Sequence, residues 1–222
     1  MSKRHVVKLF YDVISPYSWL GFETLCRYRT LWALDLRFCP VFLGAIMGAT
    51  NITPPGMIPR KGKYMEKDLQ RLKELYCVPL NLPSDPAEVM FNKGSLSAQR
   101  LLTATKMSYP NYVENLSRAL WTRVWSKDLD IASRGSLKEA CQNCGMDSKV
   151  IEEILGRLSD QDVKDELRKT TDEVLSYGAF GAPTIVIFND DGKADMFFGS
   201  DRFELIAHLL GVRWLGPHPS KL

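Results

Sequence analysis

The tetrad Ser15-Pro16-Tyr17-Ser18 ends a run of apolar residues and opens a segment in which Trp19, Leu20, Phe22, Leu25 and Cys26 recur at helical spacing. Serine is a preferred N-cap and proline a preferred first helical residue, so the tetrad reads as a helix start. Amides left unpaired there, together with the positive end of the helix dipole, favour a thiolate. The tetrad holds no cysteine, and a serine hydroxyl cannot exchange disulfides. A sulfur stabilised at this place has to arrive on a ligand. A free thiol has a pKa of about 8.5, and a hydroxyl donor plus a helix N-terminus, each worth about 1 kcal/mol, would lower it by roughly one to two units. A plain helix cap is the alternative use of Ser15.

The elements that must position this tetrad follow from periodicity. His5 to Val13 is a buried strand, the helix after Ser15 comes next, and Leu36 to Phe42 is a second strand. Residues 51 to 62, with three prolines and two glycines, read as a loop without regular structure. The helical period then dominates, with helices near 64 to 76, 95 to 107, 110 to 126, 136 to 144, 148 to 157 and 160 to 177. Pro183 to Phe188 is a strand, Asn189-Asp190-Asp191-Gly192 a hairpin turn, and Ala194 to Phe198 its antiparallel partner. Ser200 or Asp201 is expected to cap a last helix from Arg202 to Leu210, closed by Gly211. The order β-α-β, helical block, β-β-α predicts an α/β fold: a thioredoxin-like core, residues 1–62 and 178–222, with a large all-helical insertion, residues 63–177.

Within that fold the remaining motifs gain a place. In thioredoxin-type cores the proline that starts the third strand is cis and faces the helix N-terminus, and the residue before it pairs its backbone with an extended peptide. Pro183, with Ala182 ahead of it, stands there, although a proline can also simply start a strand. Ser200 and Asp201 suit an amino acid end, the former through its hydroxyl and nearby amides and the latter by accepting from an amino group. A thiol tripeptide with a γ-glutamyl end, glutathione, offers all of these groups. Cys141 and Cys144 match C-x-x-C but lie in the helical block and follow no strand, and the histidines, His5, His208 and His218, are remote from them. They read as packing or surface residues, and no metal is expected.

Composition excludes other classes. The chain has 222 residues, 45% of them hydrophobic, with 29 basic residues scattered among 26 acidic ones, so neither disorder nor a nucleic acid partner gains support. No run is long enough for a membrane span, and no signal peptide precedes the first strand. Five cysteines, an odd number, fit a reduced intracellular setting. Ser220-Lys221-Leu222 spells the tail read by the peroxisomal import receptor, behind Pro217 and Pro219, which would keep it extended.

Leu9 to Glu23, Pro54 to Gly62, Gly94 to Ser97, Tyr177 to Gly181 and Phe198 to Arg202 together resemble the kappa class of glutathione transferases, in order and over nearly the whole chain. The resemblance implies a DsbA-related fold, a homodimer, and a location in mitochondria or peroxisomes, between which the Ser220-Lys221-Leu222 tail favours peroxisomes. It assigns Ser15 to the glutathione sulfur with Pro16 and Tyr17 beside it, Ala182 and Pro183 to the peptide backbone, and Ser200 and Asp201 to the γ-glutamyl end. Asn51, Pro59 and Lys61 fall where the family's loop approaches glutathione, with spacing around Asn51 that differs by one residue. The implied activity is attack of the thiolate on small electrophiles such as activated aryl halides, with reduction of peroxides as a possible second reaction. Its rivals are a glutathione-dependent isomerase resembling 2-hydroxychromene-2-carboxylate isomerase, and a non-catalytic peptide-binding module.

Overall fold

A computed structural model of the protein describes residues 4–188 and 192–219. The chain runs through β1 (His5–Tyr11), α1 (Pro16–Tyr28), β2 (Leu34–Pro40) and α2 (Leu43–Thr50) into α3 (Pro59–Tyr76), α4 (Leu96–Ser108), α5 (Val113–Ser126), α6 (Arg134–Asn143), α7 (Ser148–Gly156) and α8 (Gln161–Ser176). It returns through β3 (Thr184–Phe188), β4 (Ala194–Phe198) and α9 (Phe203–Leu210). The strands form one sheet in the order β2-β1-β3-β4, β1 parallel to β2 and β3 antiparallel to both its neighbours. The α1 crossover permits the parallel pair, and the β3–β4 hairpin the antiparallel one. This is the thioredoxin-like arrangement that element order predicts.

Alternation along β1 sorts its side chains between two cores. Val7, Leu9 and Tyr11 join a large cluster that includes Leu20, Phe22 and Leu25 of α1 and Leu116, Leu120 and Trp121 of α5. Phe10 points the other way, into a smaller cluster with Ile46 of α2, Val174 of α8 and Val186 of β3. The helical block is thereby packed onto both sheet faces.

Several local expectations are corrected. Residues 51–62 are not without regular structure: Pro55–Met57 forms a 3-10 turn, and α3 begins at Pro59, ahead of the expected 64. Proline lacks the N–H that a first helical residue leaves unpaired, so Pro59 starts a helix rather than preventing one. The helix α2 went unseen in the sequence because Leu43-Gly-Ala-Ile-Met-Gly-Ala-Thr50 is short, uniformly apolar and holds two glycines. Neither Ser200 nor Asp201 caps α9: its N-cap is Arg202, without a side-chain hydrogen bond. β1 stops at Tyr11, not Val13, and β2 spans Leu34–Pro40, two residues earlier than predicted. Asn189, Asp190 and Asp191 of the hairpin turn lie outside the described residues, as do Ser220, Lys221 and Leu222.

Candidate functional site

Ser15 is the N-cap of α1 in extended backbone, with Pro16 as the first helical residue. Its Oγ accepts from the Ser18 amide at 3.1 Å and donates to the Ala182 carbonyl at 3.2 Å. The Ala182–Pro183 peptide is cis. Pro16 offers no N–H and Ser18 gives its own to Ser15, which leaves the Tyr17 amide as the donor at the open end of the helix. One hydroxyl therefore links the start of α1 to the loop before β3.

The γ-glutamyl candidates sit close by. A Cβ built on Gly21 of α1 would lie 3.4 Å from Pro183 Cγ and 3.9 Å from Ser200 Cβ, so both residues pack against one face of α1. The Gly199 amide donates to the Pro183 carbonyl at 3.0 Å, which fastens the 199–202 turn to β3. Gly199 has φ +101, and a Cβ there would be 2.7 Å from Asp201 Oδ1, so only glycine lets this turn fold tightly. Ser200 is buried and Asp201 exposed beside Arg202, with Oδ2 3.3 Å from its Nη2.

Helix α3 closes this side. Tyr76 donates to the Ser200 carbonyl at 2.6 Å, and Tyr17 to Asp68 Oδ2 at 2.9 Å. Burial pushes the Tyr76 phenol up to about 12, so it remains a donor throughout the neutral range. Burial and the Asp68 carboxylate also raise Tyr17. Asn51, Pro59 and Lys61 are exposed, Asn51 in the left-handed C-cap of α2 and the other two in the first turn of α3. No hydrogen bond or ion pair joins them to Ser15, Ala182 or Ser200 among the described residues.

Sequence reasoning missed the groups that hold Ser15 in place. Trp121 Nε1 donates to the Ser15 carbonyl and Trp125 Nε1 to that of Val13, each at 3.2 Å and each from α5. Asp12, fully buried, accepts from the Ile14 amide at 3.0 Å, the Leu43 amide at 2.9 Å and Ser95 Oγ at 2.8 Å. Its own carbonyl takes the Ser15 amide at 3.0 Å. Burial raises its carboxyl to about 6 against these hydrogen bonds. Gln99 bridges the Tyr11 and Val41 carbonyls. An acid set within the apolar run Tyr11-Asp12-Val13 was the one signal available in the sequence.

The model of the DSBA-like thioredoxin domain matches residues 6–211. Glutathione S-transferase kappa 1 of Homo sapiens is 46% identical, over 96% of this chain and 94% of that one. Glutathione s-transferase kappa 2 of Caenorhabditis elegans is 35% identical, over 100% and 98%. The chain belongs to the kappa class of glutathione S-transferases. Among solved structures, a 2-hydroxychromene-2-carboxylate isomerase superposes with a TM-score of 0.70 at 22% identity, covering 93% of this chain and 94% of that one, which speaks for the shared fold alone.

For a kappa-class chain the position of the C-x-x-C pair is informative. Cys141 is fully buried and Cys144 half-buried at the end of α6, and burial pushes their thiols up to about 12 and about 11. Thiols held that far above neutral pH are poor nucleophiles. Cys144 lines a hollow of about 360 Å³ on the insertion with Arg118, Arg123 and Lys127, which includes none of the site residues. No group of His, Cys, Asp or Glu suited to a metal occurs among the described residues, and no helix there is long and apolar enough to cross a membrane.

Proposed function

We propose that the protein is a glutathione S-transferase that ionises bound glutathione beside Ser15 and directs the thiolate at a small electrophilic carbon. The observation that carries this is the Ser15 hydroxyl bridging the N-terminus of α1 and the Ala182 carbonyl beside cis-Pro183. An extended cysteinyl backbone adding to Ala182 as a short strand takes over that carbonyl. The Ser15 proton is then released for the sulfur, and the Tyr17 amide and the helix dipole reinforce it. The thiol proton passes to water, the thiolate forms the carbon–sulfur bond, and the leaving group departs with its electron pair. Ser15 is a donor throughout, with no covalent enzyme intermediate.

Ser200 and Asp201 take the γ-glutamyl end, and Asn51, Pro59 and Lys61 the outer side of the tripeptide. Phe180 and Phe198, both exposed with ring centroids 4.5 Å apart, flank Gly181-Ala182 and support a flat aromatic electrophile such as an activated aryl halide. The reading extends to a homodimer and, through Ser220-Lys221-Leu222, to peroxisomal import; sedimentation and imaging of the chain with and without residues 220–222 test these.

The deciding experiment is the ultraviolet absorbance of the glutathione thiolate titrated against pH. A bound-thiol pKa roughly one to two units below the free value, rising again in Ser15→Ala, is expected. A wild-type protein with no bound-thiolate signal overturns the transferase reading and leaves the peptide-binding module.

A further inference from the structure

Ser18 lies one turn after Ser15 in α1 and is fully buried, yet its Oγ has no hydrogen-bond partner among the described residues. Other helical hydroxyls of this chain donate to the carbonyl four residues back, as Thr24 does to Leu20, Thr103 to Gln99 and Ser117 to Val113. Ser18 is the third residue of its helix, so the corresponding carbonyl, that of Ile14, belongs to the turn before the helix and not to its ladder. A buried hydroxyl left unpaired costs about 1–3 kcal/mol, and such a group calls for an explanation.

Its surroundings supply one. One turn before it, Ser15 reaches the Ala182 carbonyl, and one turn after it, Gly21 faces Pro183 and Ser200. Ser18 thus shares the α1 face turned toward the glutathione site. Where Ser133 caps α6 and accepts the Ser136 amide in the same way, the two hydroxyl oxygens lie 3.0 Å apart, so a change of the Ser18 χ1 rotamer is the movement that would bring its hydroxyl to Ser15 Oγ. A serine hydroxyl has one proton and two lone pairs, and Ser15 uses one lone pair for the Ser18 amide. The other is open.

We propose that Ser18 is a positioning residue for the thiolate: when glutathione binds, its hydroxyl donates to Ser15 Oγ, and Ser15, with both lone pairs occupied, donates its proton more strongly to the sulfur. Hydrogen bonds in such a chain polarise one another. No bond to carbon forms or breaks in this relay, and each proton stays on its own oxygen. The relay rests on the assignment of the sulfur to Ser15 made above.

The test compares wild type, Ser18→Ala, Ser15→Ala and the double variant, reading the bound-thiol pKa by thiolate absorbance and the thermal midpoint of the unliganded protein. Ser18→Ala is expected to raise the bound-thiol pKa by part of the rise seen in Ser15→Ala, and to slow conjugation roughly three- to tenfold. Its thermal midpoint should equal or exceed that of wild type, since an unpaired buried hydroxyl has been removed. In the Ser15→Ala background the second substitution should change the pKa no further. A bound-thiol pKa in Ser18→Ala equal to wild type overturns the relay alone, as does an additive rise in the double variant. A wild type without bound thiolate overturns the relay together with the assignment of Ser15.

Discussion

Ser15 and Asp12 show how differently two polar residues can serve one turn. Ser15 gives its hydroxyl to whatever occupies the Ala182 side, so Ser15→Ala should lower kcat/KM about 10- to 100-fold, the worth of a charge-assisted hydrogen bond. Steady-state rates with an aryl halide measure this, and an unchanged kcat/KM would show that the amide and dipole suffice. Asp12 works behind it, tying the turn to the N-terminus of α2 and to Ser95. Burial raises its carboxyl to about 6 in the folded protein, above the roughly 3.9 of an unfolded chain. Between those values the folded state holds a proton that the unfolded state has lost, so this group makes stability fall as pH rises from about 4 to about 6. Asp12→Asn keeps the shape and removes the titration. The difference in unfolding free energy between pH 4.5 and pH 7 should therefore change by about 2 kcal/mol relative to wild type. Urea unfolding at the two pH values checks it, and an identical difference in both proteins refutes it.

At the scale of elements, the site depends on how closely α1 approaches the loop before β3. At Gly21 there is room for a methyl group, since a Cβ would sit at ordinary contact, 3.4 Å, from Pro183. Gly21→Ala should be accepted and, with alanine the better helix former, should stabilise by up to about 1 kcal/mol. Gly21→Leu has no such room and should push Pro183 and Ser200 away, weakening glutathione binding while leaving the helix formed. Isothermal titration with glutathione, with far-ultraviolet circular dichroism alongside, distinguishes the two; equal affinity in the leucine variant would mean that the loop is not fixed by α1. The second constraint comes from α5, whose Trp121 and Trp125 hold the Ser15 and Val13 carbonyls across the boundary between core and insertion.

The whole molecule is bound together by that same boundary. One apolar cluster runs from β1 through α1 into α4, α5, α6 and α7, and Trp19 stacks on Trp121 with centroids 6.4 Å apart. A helical block joined to the sheet by a continuous core should not unfold ahead of it. Denaturant transitions followed by tryptophan fluorescence and by far-ultraviolet circular dichroism are expected to coincide, and separate midpoints would show that the insertion is an independent unit.

The α/β class, the four strands in their succession along the chain and the placement of Ser15 at a helix start were legible in the sequence, because period, proline and serine act over a few residues. Pro183 was legible as a strand start for the same reason, and its place beside the start of α1 followed only from the fold that the order of elements implied. What the sequence alone did not determine is anything that depends on distant residues meeting. That Pro59 begins a helix, that α9 does without a cap from Ser200, and that Asp12, Gln99, Trp121 and Trp125 converge behind Ser15 are outcomes of tertiary packing. Local propensity sets which turns can form; burial, with its demand that every polar group find a partner, decides which of them do and leaves Ser18 conspicuous as an exception.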